Sequence, residues 1–589
     1  MLKVRKKETV SMVTRDGVRL DADVYRPDEE GTYPVLLMRQ PYGRAIASTV
    51  VYAHPTWYAS HGYIVAIQDV RGRGTSEGKF ELFTHEISDG FDTVNWAANL
   101  PGSNGNVGMY GFSYQGMTQL YAAAAKPAAL KTICPAMIAY DLYADWAYEG
   151  GAFCLQNNFG WAIQLAAETA RLKLDITAYQ TLCAASRNLP FYDPEPFLIA
   201  CLRKYAPNNF YYQWSAHPEP SEYWEELSPK KYLQDVDLPM LHIGGWFDTH
   251  LRGTINLYKE MAAKSAFPQH IGIGPWSHLP WGRKVGAIDY GPEAESLVDR
   301  VQIRWFDQFL KGLNTGLLDE PPVSLFEMGS NQWRYFDRWP SNNQTSYYLA
   351  STGLASVRQD EGTLEARQQP TPLVPRLLPG NEYGEVPPPQ QQEARQQPTP
   401  LVPRLQPGNE GGSENSFDVF VHDPWRPVPA SGGHAAIPAG SFDRSAIDCR
   451  TDVLTYTSAL LEEDLHLAGD VAVEVFCTAD TPSFDLCAVL SEVRPDGRVY
   501  NFTQGYMRRD QKKPGFCRIP LQATCVRIAK GNALRLSLSA ACFPAYAVNC
   551  GTGASSGETR LMDVQIITIT VSSGEDFPSQ VLLPVVLPS

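Results

Sequence analysis

The sequence predicts an α/β protein of several units: a parallel sheet covered by helices, a helical insertion within it, and a C-terminal all-β domain. Three observations lead there. Over the first 130 residues, apolar runs ending in polar loops alternate with helical patterns, and this alternation returns after about residue 238. The stretch between carries Trp- and Ala-rich helical segments without strand alternation. From about residue 320, short β-rich segments separated by turn signals take over.

In chain order, GYIVAIQD (62–69) and NVGMYG (106–111) read as buried strands, and MTQLYAAAA (117–125) as the helix following the second. GWAIQLAAETARLKL (160–174) has a helical period, so 135–237 is expected to be a cap inserted into the sheet. LPMLHIGGW (238–246) and HIGIGPW (270–276) are again strands, and RVQIRWFDQFLKGL (300–313) an amphipathic helix. VSLFEMG (323–329), SYYLAS (346–351), VAVEVFCTA (471–479), LCAVLSEV (486–493), LRLSLSA (534–540) and VQIITITVS (564–572) read as strands of a sandwich or jelly roll. The expected division is 1–134 for the first part of the core, 135–237 for the cap, 238–319 for the second part of the core, and 320–589 for the jelly roll. Within the last, residues 365–382 recur at 393–410 with one substitution. This Pro- and Gln-rich duplication is too poor in apolar surface to fold alone, so about 353–413 is expected to be a surface insertion.

Composition narrows the function classes. A chain of 589 residues with 44% hydrophobic and 11% aromatic content is globular and can bury large cores. Its formal charge of −14 argues against nucleic acid as a partner. No run of about 20 apolar residues is present to span a membrane, and the basic N-terminus lacks the apolar run of a secretory leader. The 11 cysteines are odd in number and contain no CxxC pair, which suits free thiols in a reducing, cytoplasmic setting.

The chemistry centres on Gly111-Phe112-Ser113-Tyr114-Gln115-Gly116, between a predicted strand and a predicted helix. A sharp strand-to-helix turn holds a serine oxygen proud of the fold, where it can attack a carbonyl. The usual pattern is G-x-S-x-G; here the second glycine falls one residue later. Serine needs a base, and in such α/β folds the acid and then the base follow it on loops after later strands. Asp248 and His278 each stand just past a predicted strand, in that order. An oxyanion needs fixed donors: the Tyr114 backbone N–H is one. The loop Gln40-Pro41-Tyr42-Gly43 lacks glycine-rich backbone donors, so the Tyr42 hydroxyl is assigned as the other. Asp69, in DVRGRG, is read as a structural partner of Arg71 and Arg73. There is no HExxH and no tight His/Asp cluster, so neither a catalytic metal nor a cofactor is expected.

PYGR (41–44), DVRGRGTSEG (69–78), GNVGMYGFSYQG (105–116), GGWFD (244–248) and GPWSH (274–278) resemble the signature blocks of the bacterial cocaine-esterase family. That family is itself similar to α-amino-acid ester hydrolases and Xaa-Pro dipeptidyl-peptidases. HDPWRPVPASGG (422–433) and FDLCAVLSEVRPDGRVYNFTQG (484–505) resemble its C-terminal β domain. The resemblance implies an α/β-hydrolase core, a helical cap and a jelly roll. By it, Ser113, Asp248 and His278 match the family triad, and Tyr42 with Tyr114 its oxyanion hole. YADWAYEGGA (143–152) resembles the cap region whose aromatics line the acyl pocket, making Trp146 and Trp161 pocket candidates, with plain cap core as the competing role. His250 departs from the family, standing where an apolar pocket residue is expected. No acidic cluster for a substrate amine is evident in the cap.

The expectation is a serine hydrolase cleaving a small-molecule carboxylic ester through an acyl-enzyme. The alternatives are an amidase, acylase or α-amino-acid ester hydrolase with the same triad, and a carbohydrate- or partner-binding protein acting through its jelly roll. The family's habit of forming dimers or larger assemblies leaves a homo-oligomer open.

Overall fold

A computed structural model describes residues 1–45, 49–191, 200–340, 344–366, 415–510, 515–554, 559 and 561–587. The core is a ten-stranded sheet of β1 (Glu8–Val13), β2 (Arg19–Tyr25), β3 (Tyr33–Gln40), β4 (Ile64–Asp69), β5 (Ser103–Phe112), β6 (Leu130–Ala136), β7 (Met240–Phe247), β8 (Gln269–Ser277), β9 (Val323–Glu327) and β10 (Gln332–Phe336). Their order is β1-β2-β4-β3-β5-β6-β7-β8-β9-β10. Neighbours from β4 across to β9 are parallel, and the end strands β1, β2 and β10 pair antiparallel.

The helices that position the site are α1 (Glu86–Ala98), α2 (Tyr114–Ala124), α3 (Leu155–Leu172), α4 (Ile176–Arg187), α5 (Leu251–Lys264) and α6 (Val298–Leu310). Interior strands are buried almost throughout because helices cover both faces. Val35 and Leu37 of β3 pack in one core with Val94 and Ala97 of α1 and Met117 and Leu120 of α2. Leu36 and Met38 point the other way, into a core with Trp305 and Phe306 of α6. Between β6 and β7 the chain leaves the sheet to form the cap, where α3 and α4 pack together and shorter helices such as Phe210–Ser215 and Glu222–Leu227 complete the unit.

The C-terminal unit is β-rich, and its main sheet has eleven strands among the described residues. One expectation needs correcting. Residues 323–329 do not open the β domain: Val323–Glu327 pairs in parallel with β8 and, with β10, ends the core sheet. A short apolar strand reads alike whichever sheet receives it, and only its partner, far away in sequence, decides. The insertion expected at about 353–413 is also revised at its start, since Thr363–Ala366 is a strand paired with Tyr347–Ala350. From residue 367 to 414 it lies outside the described residues. None of the eleven cysteines forms a disulfide among the described residues, and seven of them are buried. No helix among the described residues is long and apolar enough to cross a membrane.

One buried carboxylate joins the three units. Glu149, in the cap, is 5% exposed. It accepts hydrogen bonds from Arg252 Nη2 of α5 at 2.8 Å, from His434 Nε2 of the β domain at 2.8 Å, and from the Tyr546 hydroxyl. Burial alone would raise its pKa, but the charge of Arg252 and the contacts with His434 and Tyr546 overcome this and hold it well below the usual range. The next residue, Gly150, has φ +53°, and a Cβ there would sit 2.1 Å from Tyr506 O, so the cap backbone lies directly on the β domain.

Glu149→Ala strands the Arg252 guanidinium and is expected to cost about 3–5 kcal/mol, read as a fall in melting temperature by calorimetry. Acid should act in the same direction. His242, His250 and His270 are each lowered to about 4, by burial first. The unfolded chain therefore takes up protons that the folded chain refuses, and stability is lost as pH falls from the ordinary histidine value toward 4. Glu149 adds to the loss once pH drops through the ordinary carboxyl range. Melting temperature measured against pH should be level near neutrality and fall steadily below about 6.5; a flat profile down to pH 4 would contradict this account.

Candidate active site

β5 ends at Phe112 and α2 begins at Tyr114, so Ser113 makes the turn alone, with φ 58° and ψ −128°. This backbone is strained for a residue bearing a side chain. The flanking glycines are explained by contact. A Cβ on Gly111 would lie 2.5 Å from Gln115 Cβ, and one on Gly116 would lie 2.3 Å from Ile138 Cγ2. The tight approach of α2 to the segment after β6 thus falls at 116, and position 115 accommodates a buried glutamine. That is why the second glycine comes one residue late.

Phe247 and Ser277 are register partners across β7 and β8, so the following residues, Asp248 and His278, leave the sheet side by side. His278 Nδ1 donates to Asp248 Oδ1 at 2.7 Å. Asp248 is fully buried; its Oδ2 accepts from His250 N at 3.2 Å and its carbonyl from Gln522 Nε2 of the β domain at 3.0 Å. His278 Nε2 has no protein partner among the described residues, and the ring lies 5.4 Å from that of Phe112, beside Ser113.

Tyr42 follows β3. Its N–H donates to Gln40 Oε1 at 3.0 Å, and the loop is anchored where Arg44 N donates to Asp69 Oδ1 at 2.7 Å. Here another expectation is corrected. Asp69 pairs with the Arg44 guanidinium, while Arg71 turns to Asp16 and Asp89. The reason is local: the Gly-Arg-Gly turn folds over Asp69, and a Cβ on Gly74 would lie 1.9 Å from its Oδ2. The Tyr42 hydroxyl accepts from Trp161 Nε1 of α3 at 3.1 Å. Burial pushes the phenol up to about 12, opposed by hydrogen bonds to Trp161 and Ser113. The Tyr114 N–H, first in α2, has no acceptor among the described residues, while its phenol points away to Glu86 Oε1 at 2.8 Å.

Ser113, His278, Tyr42, Trp146, Trp161 and His250 line one cavity of about 730 Å³. Trp146 packs against His250 at 4.1 Å between ring centroids and against Trp161 at 4.9 Å. Asp248 stands behind His278, and neither it nor Tyr114 is among the residues that line the cavity. His250 Nδ1 donates to the Asp145 carbonyl at 3.1 Å, and burial lowers the imidazole to about 4. It is thus neutral 5.2 Å from the His278 ring, and adds no charge there. Sequence reasoning missed the wall supplied by the β domain, His434 through Ala439, and also Lys284. The only hint was position: His434 directly follows the block HDPWRPVPASGG. Among the described lining residues there is no Asp or Glu, and Lys284 is the one Lys or Arg.

Two family models divide the chain: X-Pro dipeptidyl-peptidase (S15 family) matches residues 16–280, and the X-Pro dipeptidyl-peptidase C-terminal non-catalytic domain matches 315–582. A cocaine esterase of Rhodococcus sp. is 28% identical over 98% of this chain and 98% of its own length. Among solved structures, an aminopeptidase from a marine sediment Thaumarchaeota archaeon superposes with a TM-score of 0.76 at 21% identity, covering 98% of this chain and 96% of that one. An α-amino acid ester hydrolase gives 0.74 at 21% identity, covering 99% and 97%. At such identity the structural likeness is one of fold. With both models and a relative matched from end to end, the chain belongs to the cocaine-esterase and X-Pro dipeptidyl-peptidase family and is a serine hydrolase.

Proposed function

We propose that the protein hydrolyses carboxylic esters through an acyl-enzyme on Ser113. The observation that carries this reading is the 2.7 Å His278–Asp248 hydrogen bond beside a serine in a strained elbow, opening onto one cavity. Ser113 Oγ attacks the carbonyl carbon while His278 Nε2 takes its proton, and Asp248 holds the imidazole in the tautomer with Nε2 free. The oxyanion is met by the Tyr114 N–H at the positive end of α2 and by the Tyr42 hydroxyl. Because the phenol oxygen already accepts from Trp161, its own proton is left to donate; with a pKa of about 12 it keeps that proton at any ordinary pH. His278 then protonates the leaving alkoxide, and a water activated by the same imidazole releases the acid.

The charge of the lining favours esters without an amino group. An α-amino acid ester carries an ammonium, and the described wall supplies no carboxylate to hold it. The jelly-roll reading of the β domain enters here as a wall of the site, and the cap as its roof.

Covalent labelling by a fluorophosphonate, followed by peptide mapping, should place the label on Ser113. Ser113→Ala and His278→Ala should each cost roughly 10⁴-fold or more in kcat for a short aryl ester. A folded Ser113→Ala protein with undiminished turnover would overturn the assignment. Across a matched panel, kcat/KM should be highest for neutral esters, lower for α-amino esters, and lowest for the corresponding amides. A clear preference for the α-amino esters would instead point to an anionic subsite outside the described residues.

A further inference from the structure

Four arginines lie on the strand ends and loops near Tyr42. Three are matched by carboxylates: Arg39 by Glu86 at 2.6 Å, Arg44 by Asp23 at 2.9 Å and by Asp69, and Arg71 by Asp89 and Asp16, both at 2.7 Å. Arg73 is the exception. It is only 2% exposed and has no carboxylate partner among the described residues. Its Nη1 donates to two neutral oxygens of α3, Leu165 O at 3.3 Å and Thr169 Oγ1 at 3.2 Å, and its Nε has no acceptor. The guanidinium carbon sits 3.8 Å over the Phe80 ring. Glu168, on the same helix, is taken by Arg171 through two bonds of 2.7 Å. Burial accordingly brings Arg73 down to about 10, which still leaves it charged at neutral pH.

A buried cation with no carboxylate in contact, opposed only through space by Glu168, is costly to fold around. Its neighbours suggest what it is for. Phe80 faces Tyr114, with ring centroids 6.1 Å apart, and Tyr114 carries one proposed oxyanion donor. The helix that Arg73 grips at Leu165 carries Trp161 one turn earlier, and Trp161 holds the hydroxyl of Tyr42, the other donor. Arg73 thus stands behind both.

We propose that Arg73 is a positioning residue of the oxyanion hole, a buried cation with no carboxylate in contact that sets the Tyr42 donor through α3 and Trp161 and supplies a positive field at the oxyanion. The proposal rests on the assignment of Tyr42 and Tyr114 N–H as donors. When the Ser113 Oγ–carbon bond forms, the carbonyl π pair moves onto oxygen, and negative charge appears where none existed in the resting enzyme. A fixed positive charge nearby therefore favours the transition state over bound substrate and raises kcat without tightening KM.

The test compares wild type, Arg73→Met, Arg73→Lys, Tyr42→Phe and the Arg73→Met/Tyr42→Phe double variant on one short aryl ester. Arg73→Met should lower kcat by about 10- to 100-fold, less than the roughly 10²- to 10³-fold cost of losing a donor outright. KM should stay within about twofold and the melting temperature should not fall, since a buried charge with no carboxylate in contact has been removed. Arg73→Lys should recover part of the rate, and the double variant should be slower than Tyr42→Phe alone by clearly less than the full Arg73→Met factor. Should Arg73→Met not fold, Arg73→Gln serves as the neutral variant. Wild-type kcat in the neutral variant, or a loss that multiplies fully with that of Tyr42→Phe, overturns the proposal. A Tyr42→Phe enzyme with unimpaired kcat would instead show that the oxyanion assignment itself had failed.

Discussion

The architecture turns on the buried carboxylate of Glu149, because the cavity belongs to no single unit. Its floor is the core elbow at Ser113, its roof the cap aromatics Trp146 and Trp161, and one wall the β-domain run from His434. Glu149 is bound at once by Arg252 of the core and by His434 and Tyr546 of the β domain, so the three units share one polar anchor. A carboxylate has enough acceptor positions to satisfy all three partners, and inside the protein its attraction to Arg252 is weakly screened. The family model calls the C-terminal domain non-catalytic. It nonetheless shapes the site: Gln522 steadies the carbonyl of Asp248 at 3.0 Å, behind the residue that orients His278.

The electrostatics of the site separate into a neutral front and a charged back. His250 is held uncharged by burial and the phenol of Tyr42 keeps its proton, so the substrate meets a largely uncharged surface. Behind it lie Arg39, Arg44 and Arg71 with their carboxylates, a dense ionic layer that fixes the loops after β3 and β4. These pairs hold the loop of Tyr42 without lending the cavity net charge of their own.

Much of this was legible in the sequence, and the failures have physical reasons. The elbow, Asp248 and His278 could be placed because parallel strands put successive loop residues at one edge of the sheet; position and order along the chain therefore carry spatial information. The hydrophobic runs of β4, β5, β7 and β8 gave those strands directly. Val323–Glu327 was misassigned because strand character says nothing about which sheet receives it. The partners of Asp69 were misjudged because nearness in sequence favoured Arg71 and Arg73, whereas the turn at Gly74 aims the carboxylate at Arg44. The wall from His434 was not placed because domain packing brings it to the serine, and Lys284, in the core just after His278, carries no sequence mark of facing the cavity. Trp161, weighed between pocket and plain core, lines the cavity and also bonds Tyr42.

That last bond spans two units: Trp161 rides on the cap helix α3, while Tyr42 belongs to the sheet. With Tyr42 in its proposed role, the seating of the roof and the strength of the chemistry become a single variable. A guest that displaced α3 would loosen that donor with it. Discrimination by size would then be exercised through turnover instead of at the door.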